Sequence, residues 1–192
     1  MQNTDNTIYE MLVHIPMCIH AEPKQAAVIG ESKEILDELA KHKEINTTKI
    51  SSDDVIARLT DMSENSLDIL IVNDKEMLSD PLFCGLAKRA LNSKGVLSVL
   101  ASSLAKDVSD ASKELKTLGE HFRIVMPYDF ASRDDSYSYA YLASNFYHPT
   151  ADINLQRADL TDGFNYYNSD IAVASFVMPT YIRKQYLGLI KS

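Results

Sequence analysis

Short apolar runs alternate with amphipathic stretches along most of the chain, and this alternation limits the fold more than any single motif. "QAAVIG" (Gln25–Gly30) reads as a buried strand, and "ESKEILDELAKHK" follows with Ser32 as a cap and Ile35, Leu36, Leu39 and Ala40 on one helical stripe. A weaker strand at Ile45–Ile50 leads into "SSDDVIARL", where Ser51 and Asp54 stand three apart as in a capping box. The strand "LDILIV" (Leu67–Val72) stops at Asn73-Asp74, ahead of a helix over Pro81–Leu91, a turn at Ser93-Lys94-Gly95 and the strand "GVLSVLA". A helix over Val108–Leu118 precedes "HFRIVM" and "SYSYAYLAS", two strands with no helix between them. Strand-helix alternation predicts a mostly parallel sheet with right-handed crossovers, and the closing pair predicts an antiparallel edge hairpin. The fold class expected is α/β, a Rossmann-like, methyltransferase-type sheet. The span between Ile50 and Leu67 is too short for a full βαβ unit of about 30 residues, so one strand-helix unit is expected to be missing.

Before the first strand, "TIYEMLVHIPMCI" (Thr7–Ile19) places Ile8, Met11, Leu12, Ile15 and Ile19 on one helical face, with Pro16 expected to bend or end the helix. "SRDDS" (Ser132–Ser136) reads as an exposed turn, Asn145–Asn165 as an irregular connection, and Thr180–Leu187 as a terminal helix. With 192 residues and no interdomain linker or repeat, the chain is read as a single domain over 1–192.

A formal charge of −8 argues against the basic stripe that a nucleic-acid groove needs; a cationic small ligand would suit an acidic cleft, but many proteins are acidic merely for solubility and that reading carries more weight. There is no signal-like N-terminus and no apolar run of membrane-spanning length, so the expected location is cytoplasmic, without a membrane partner. Cys18 and Cys84 lack metal or redox spacing and are expected as buried free thiols. His14 and His20 have no partner at metal spacing and read as a helix-face and a turn residue, so no metal site is expected.

Three stretches resemble the spermidine synthases, the polyamine aminopropyltransferases. "YYNSDIAVASFVMPTYIRK" (Tyr166–Lys184) closely resembles the family's C-terminal ending. "MQNTDNTIYEMLVHIPMCIHAEPKQAAVIG" (Met1–Gly30) is similar to its entry into the first strand, and "LDILIVNDKE…LFCGLAKRALNSKGVLSV" to its strand ending in D-S-S-D with the following helix and glycine turn. The resemblance implies transfer of an aminopropyl group from decarboxylated S-adenosylmethionine, as co-substrate, to putrescine or a related diamine, with no permanently bound cofactor; it also allows a homodimer. It further implies that the family's N-terminal β-hairpin domain is absent here.

Residue by residue, the resemblance puts Asn73 at the family's proton-accepting Asp and Glu76 at its second Asp, with Asp74 one step along. An amide cannot take that proton, so Asp74 or Glu76 is the candidate base; the alternative is an Asn-Asp turn that caps the next helix. The resemblance makes Gln2, Tyr9, Glu10 and Tyr128 substrate-contacting candidates, with packing roles as the alternative for Tyr9 and Tyr128. Gly30 is the one glycine of "GESKE" where the family has GGGDG, with Lys33 near the acidic position, and Asp53 or Asp54 falls where relatives contact adenine. Helix-capping acids are the alternative for that pair. These departures leave a second function open: a catalytically degenerate relative serving as a dimerisation, polyamine-binding or partner-binding domain.

Overall fold

The computed structural model describes residues 6–30, 32–132 and 136–192. After a first helix α1 (Thr7–Ile19) come β1 (Gln25–Ile29), α2 (Lys33–Leu39), β2 (Asn46–Ile50), α3 (Val55–Asp61), β3 (Leu67–Val72), α4 (Phe83–Ala90) and β4 (Leu91–Ala101). Then follow α5 (Val108–His121), β5 (Ile124–Ala131), β6 (Tyr137–Ser144) and three short helices, α6 (Leu155–Leu160), α7 (Ser169–Ala174) and α8 (Thr180–Gln185).

The six strands form one sheet in the order β2-β1-β3-β4-β6-β5. β2, β1, β3 and β4 run parallel, while β6 is antiparallel to both β4 and β5. This is the mixed α/β Rossmann-like architecture expected, with its antiparallel edge pair. Only a 3-10 turn and α3 lie between β2 and β3, so β2 ends the sheet.

β3 shows why a parallel strand here is apolar from Ile69 to Val72. Leu70 and Val72 enter one buried cluster with α4 and α5, while Ile69 and Ile71 enter a second with α1 and α2. A strand covered on both faces loses its polar alternation.

Of the two outcomes expected at Pro16, a bend or an end, the helix does not end: Pro16 lies inside α1, and Leu12, whose carbonyl loses its usual partner, is wholly buried with most of the helix around it. Packing on nearly every side holds the helix through the break. The turn expected at Ser93-Lys94-Gly95 is an irregular part of β4, where pairing jumps from Leu67↔Leu91 to Ile69↔Val96. A Cβ on Gly95 would come within 2.8 Å of that of Leu91, so the kink requires glycine. The stretch 145–165 contains a helix, α6, whose N-cap Asn154 accepts from the Arg157 N–H. Gln2 and the tip of "SRDDS" (Arg133–Asp135) lie outside the described residues.

Candidate functional site

The chain leaves β1 toward β2 on one side and returns to β3 on the other, which makes the carboxyl ends of β1 and β3 the switch point of the sheet. Ligands of open α/β sheets bind in the crevice outside such ends. Here the two ends are tied: Asn73 N–H donates to the Ile29 carbonyl at 3.1 Å and Gly30 N–H to the Ile50 carbonyl at 3.2 Å. Gly30 has φ +98°, a conformation that side chains resist, and a Cβ there would meet that of Asn73 at 3.5 Å.

Beside Gly30 a cleft of about 540 Å³ is bounded by Val28, Ser32, Lys33, Leu36, Lys49 and Ser51. Ser32 caps α2 through a bond from the Ile35 N–H at 3.3 Å. Asp53 and Asp54 sit in the exposed 3-10 turn Ser52–Asp54, just past β2, and do not line that cleft.

Past β3, Asp74 is half-buried and its Oδ1 accepts the Glu76 N–H at 2.9 Å, capping the 3-10 turn Lys75–Ser79. Among the described residues Oδ2 of Asp74 takes no hydrogen bond, and the Glu76 side chain is exposed. The strand end thus forms the capping turn and leaves one carboxylate oxygen of Asp74 uncommitted.

The remaining candidates lie deeper. Tyr128 is wholly buried, its hydroxyl 2.8 Å from Ser98 Oγ, and burial pushes its phenol well up. Tyr9 is half-buried on α1. Glu10 is 1% exposed and accepts the backbone N–H groups of Asn165, Tyr166 and Tyr167, so it fixes the start of "YYN" from beneath.

Several polar groups with long-range partners had no signal in the sequence. At the end of β4, Ser102 donates from N and Oγ to Glu114, which also accepts from the Tyr141 hydroxyl at 2.9 Å. Asp129, near the carboxyl end of β5, has its carboxyl raised by burial and pairs across the ladder with Tyr139. His14, expected as a helix-face residue, bonds Glu38 and His42, which lie 24 and 28 positions away. Cys18 and Cys84 are buried free thiols, each pushed up to about 12 by burial. Among the described residues no cluster of His, Cys, Asp or Glu could hold a metal ion, and no helix is long and apolar enough to cross a membrane.

No family model matches the chain. Its sequence is 36% identical over 109 residues to a polyamine aminopropyltransferase of Helicobacter acinonychis, a match covering 55% of this chain and 40% of that one. Against a polyamine aminopropyltransferase of Thermotoga petrophila it is 26% identical over 221 aligned positions, covering 95% of this chain and 74% of the relative. The chain therefore spans well under half of the Helicobacter protein in the matched region. Among solved structures, a spermidine synthase in complex with the transition-state analogue AdoDATO superposes with a TM-score of 0.85 at 20% identity, over 97% of this chain and 77% of that one. The spermidine synthase of Thermotoga maritima gives 0.84, at 20% identity over 97% of this chain and 76% of the other. The structural likeness fixes the fold, and the sequence is similar to polyamine aminopropyltransferases along 95% of its length.

Proposed function

We propose that the chain catalyses aminopropyl transfer of the spermidine synthase type in the cytoplasm, from decarboxylated S-adenosylmethionine to putrescine or a related diamine. The amine nitrogen attacks the carbon beside the sulfonium, the C–S bond breaks, and methylthioadenosine leaves. The amine must first lose a proton, since a free alkylamine has a pKa near that of lysine, about 10.4. A carboxylate within hydrogen-bond reach supplies orientation and takes that proton.

One observation carries this reading: the uncommitted oxygen of Asp74 at the end of β3, beside the Gly30–Asn73 closure of the switch point. Asp74 is assigned as the base, Glu76 as a second carboxylate for the distal ammonium, and Asn73 as a hydrogen-bonding neighbour. Gly30 and the cleft beside it are assigned to the nucleoside, and Asp53 or Asp54, outside the lining of that cleft, to an adenine amine that extends past it. Tyr9 and Gln2 remain assigned to the amine. Glu10 and Tyr128 support the site from their buried positions by fixing the "YYN" segment and the β5 ladder.

A second reading is favoured by the amide at position 73 and by the cap that occupies Oδ1 of Asp74: a domain that retains a ligand without turnover. The two separate in an assay of methylthioadenosine release from decarboxylated S-adenosylmethionine. Release that depends on added putrescine supports transfer; no release above the rate without protein, from a cooperatively folded sample, assigns the chain to the second reading.

A further inference from the structure

A second cleft, of about 750 Å³, opens at the opposite, amino-terminal edge of the sheet, between the segments leading into β1 and β2 and the end of α6. His42 lines it. That side chain belongs to a residue only 7% exposed, and its Nε2 lies 2.9 Å from Nδ1 of the wholly buried His14. His14 Nε2 in turn lies 2.8 Å from Oε2 of Glu38, which also accepts from Lys41.

The chemistry of this chain of groups fixes its protons. Burial pushes the Glu38 carboxyl up, but the bonds from His14 and Lys41 outweigh it and hold the group below its ordinary value. An ionised carboxylate only accepts, so His14 donates from Nε2. Burial holds His14 neutral, and a neutral imidazole carries one N–H, so its Nδ1 accepts. His42 must therefore donate from Nε2, which leaves its Nδ1 a bare acceptor. That nitrogen has no hydrogen-bond partner among the described residues.

The charged groups around the cleft divide into committed and uncommitted. The Arg157 guanidinium donates to the carbonyls of Met17, His20 and Ala21, and Lys41 to Glu38 and the Gly163 carbonyl. Among the described residues the side-chain ends of Lys24, Lys43, Glu22, Glu44 and Asp162 form no hydrogen bond or ion pair. Both signs are thus left to meet a ligand, beside an acceptor that asks for a donor.

We propose that this cleft binds a small zwitterion whose ammonium group donates to Nδ1 of His42 among Glu22, Glu44 and Asp162, and whose carboxylate lies toward Lys24 and Lys43. The site is remote from Gly30 and Asn73 and stands independently of the aminopropyl-transfer reading.

The test is a titration of the 15N-labelled chain, read at the histidine ring nitrogens by NMR, with 4-aminobutyrate and with its two single-charge counterparts, butylamine and butyrate. The zwitterion is expected to shift the His42 and His14 ring signals saturably, and each counterpart to bind at least about tenfold more weakly. His42→Phe removes the acceptor and should abolish the response. Because that change also strips His14 of a donor and can perturb folding, Lys24→Ala/Lys43→Ala on the exposed rim serves as the second variant; it should weaken 4-aminobutyrate and leave butylamine unchanged. No saturation by about 50 mM, an equal response to butyrate, or a zwitterion affinity unaltered in the double-lysine variant would each overturn the proposal.

Discussion

The carboxylate of Glu10 accepts the backbone N–H of Tyr166 at 2.8 Å, joining the first turn of the first helix to a loop 156 positions further along the chain. Bonds from Asn165 and Tyr167 complete the anchor. Amide donors meeting a buried carboxylate form stronger bonds than neutral pairs, and a glutamine there would face some of them with an NH2 donor in place of an acceptor. Glu10→Gln should therefore lower the stability of unfolding by about 2–3 kcal/mol, measured by urea titration at neutral pH. An unchanged midpoint would mean that the loop holds itself.

Gly30→Ala probes the strand-end conformation rather than space, since the new Cβ meets its nearest neighbour at an ordinary 3.5 Å. With φ at +98° the cost is backbone strain, about 1–2 kcal/mol. Thermal unfolding should show that loss. A neutral substitution would show that the turn relaxes without penalty.

Stability should fall in acid through the buried histidine pair. His42 is depressed to about 3 from 6.5, first by burial and then by the neighbouring His14, and His14 is lowered mainly by burial. For a group whose pKa is lower in the folded chain, the stabilising contribution is complete above the unfolded value and is lost as pH falls toward the folded one. The loss should begin near pH 6.5 and continue toward pH 3, at up to about 1.4 kcal/mol per pH unit for each histidine. Urea midpoints at pH 7.5, 5.5 and 4.5 test the slope, which His42→Phe should flatten relative to the parent chain. A midpoint that rises on acidification contradicts the buried neutral pair.

If Asp74 is the base, Asp74→Ala should reduce diamine-dependent release of methylthioadenosine by about 100-fold or more while nucleoside affinity changes little. Glu76→Ala, on an exposed side chain, should act mainly on the apparent affinity for the diamine. Steady-state rates across diamine concentration separate the two effects. Equal loss in both variants, or none in either, would contradict the division of roles.

The periodic parts of this fold were legible because the code for them is local. Ser32 as a cap, the apolar run Ile69–Val72 of β3 and the helix-free pair β5 and β6 all follow from near neighbours in the chain. The Asn73-Asp74 capping turn was legible for the same reason, because Asp74 bonds two residues ahead. At Pro16 the sequence left open whether the helix bends or ends, because the burial of the surrounding residues, which keeps α1 continuous, is not written in the local code. The partners of Glu10, His14 and Glu114 are set by the way helices dock on the sheet, and no spacing records them. Resemblance brought Glu10 forward as a substrate contact, whereas its two oxygens in this fold face backbone amides.

The central claim is that the carboxyl edge at Gly30 and Asn73 still receives a nucleoside although one glycine stands where the family has several. Calorimetric titration of the folded chain with decarboxylated S-adenosylmethionine, and separately with methylthioadenosine, measures this directly. The account expects one site per chain with a dissociation constant of about 1–100 μM, a range common for enzyme substrates. No heat of binding from either ligand, in a sample that unfolds cooperatively, would contradict it and leave the switch point of this sheet without a nucleoside.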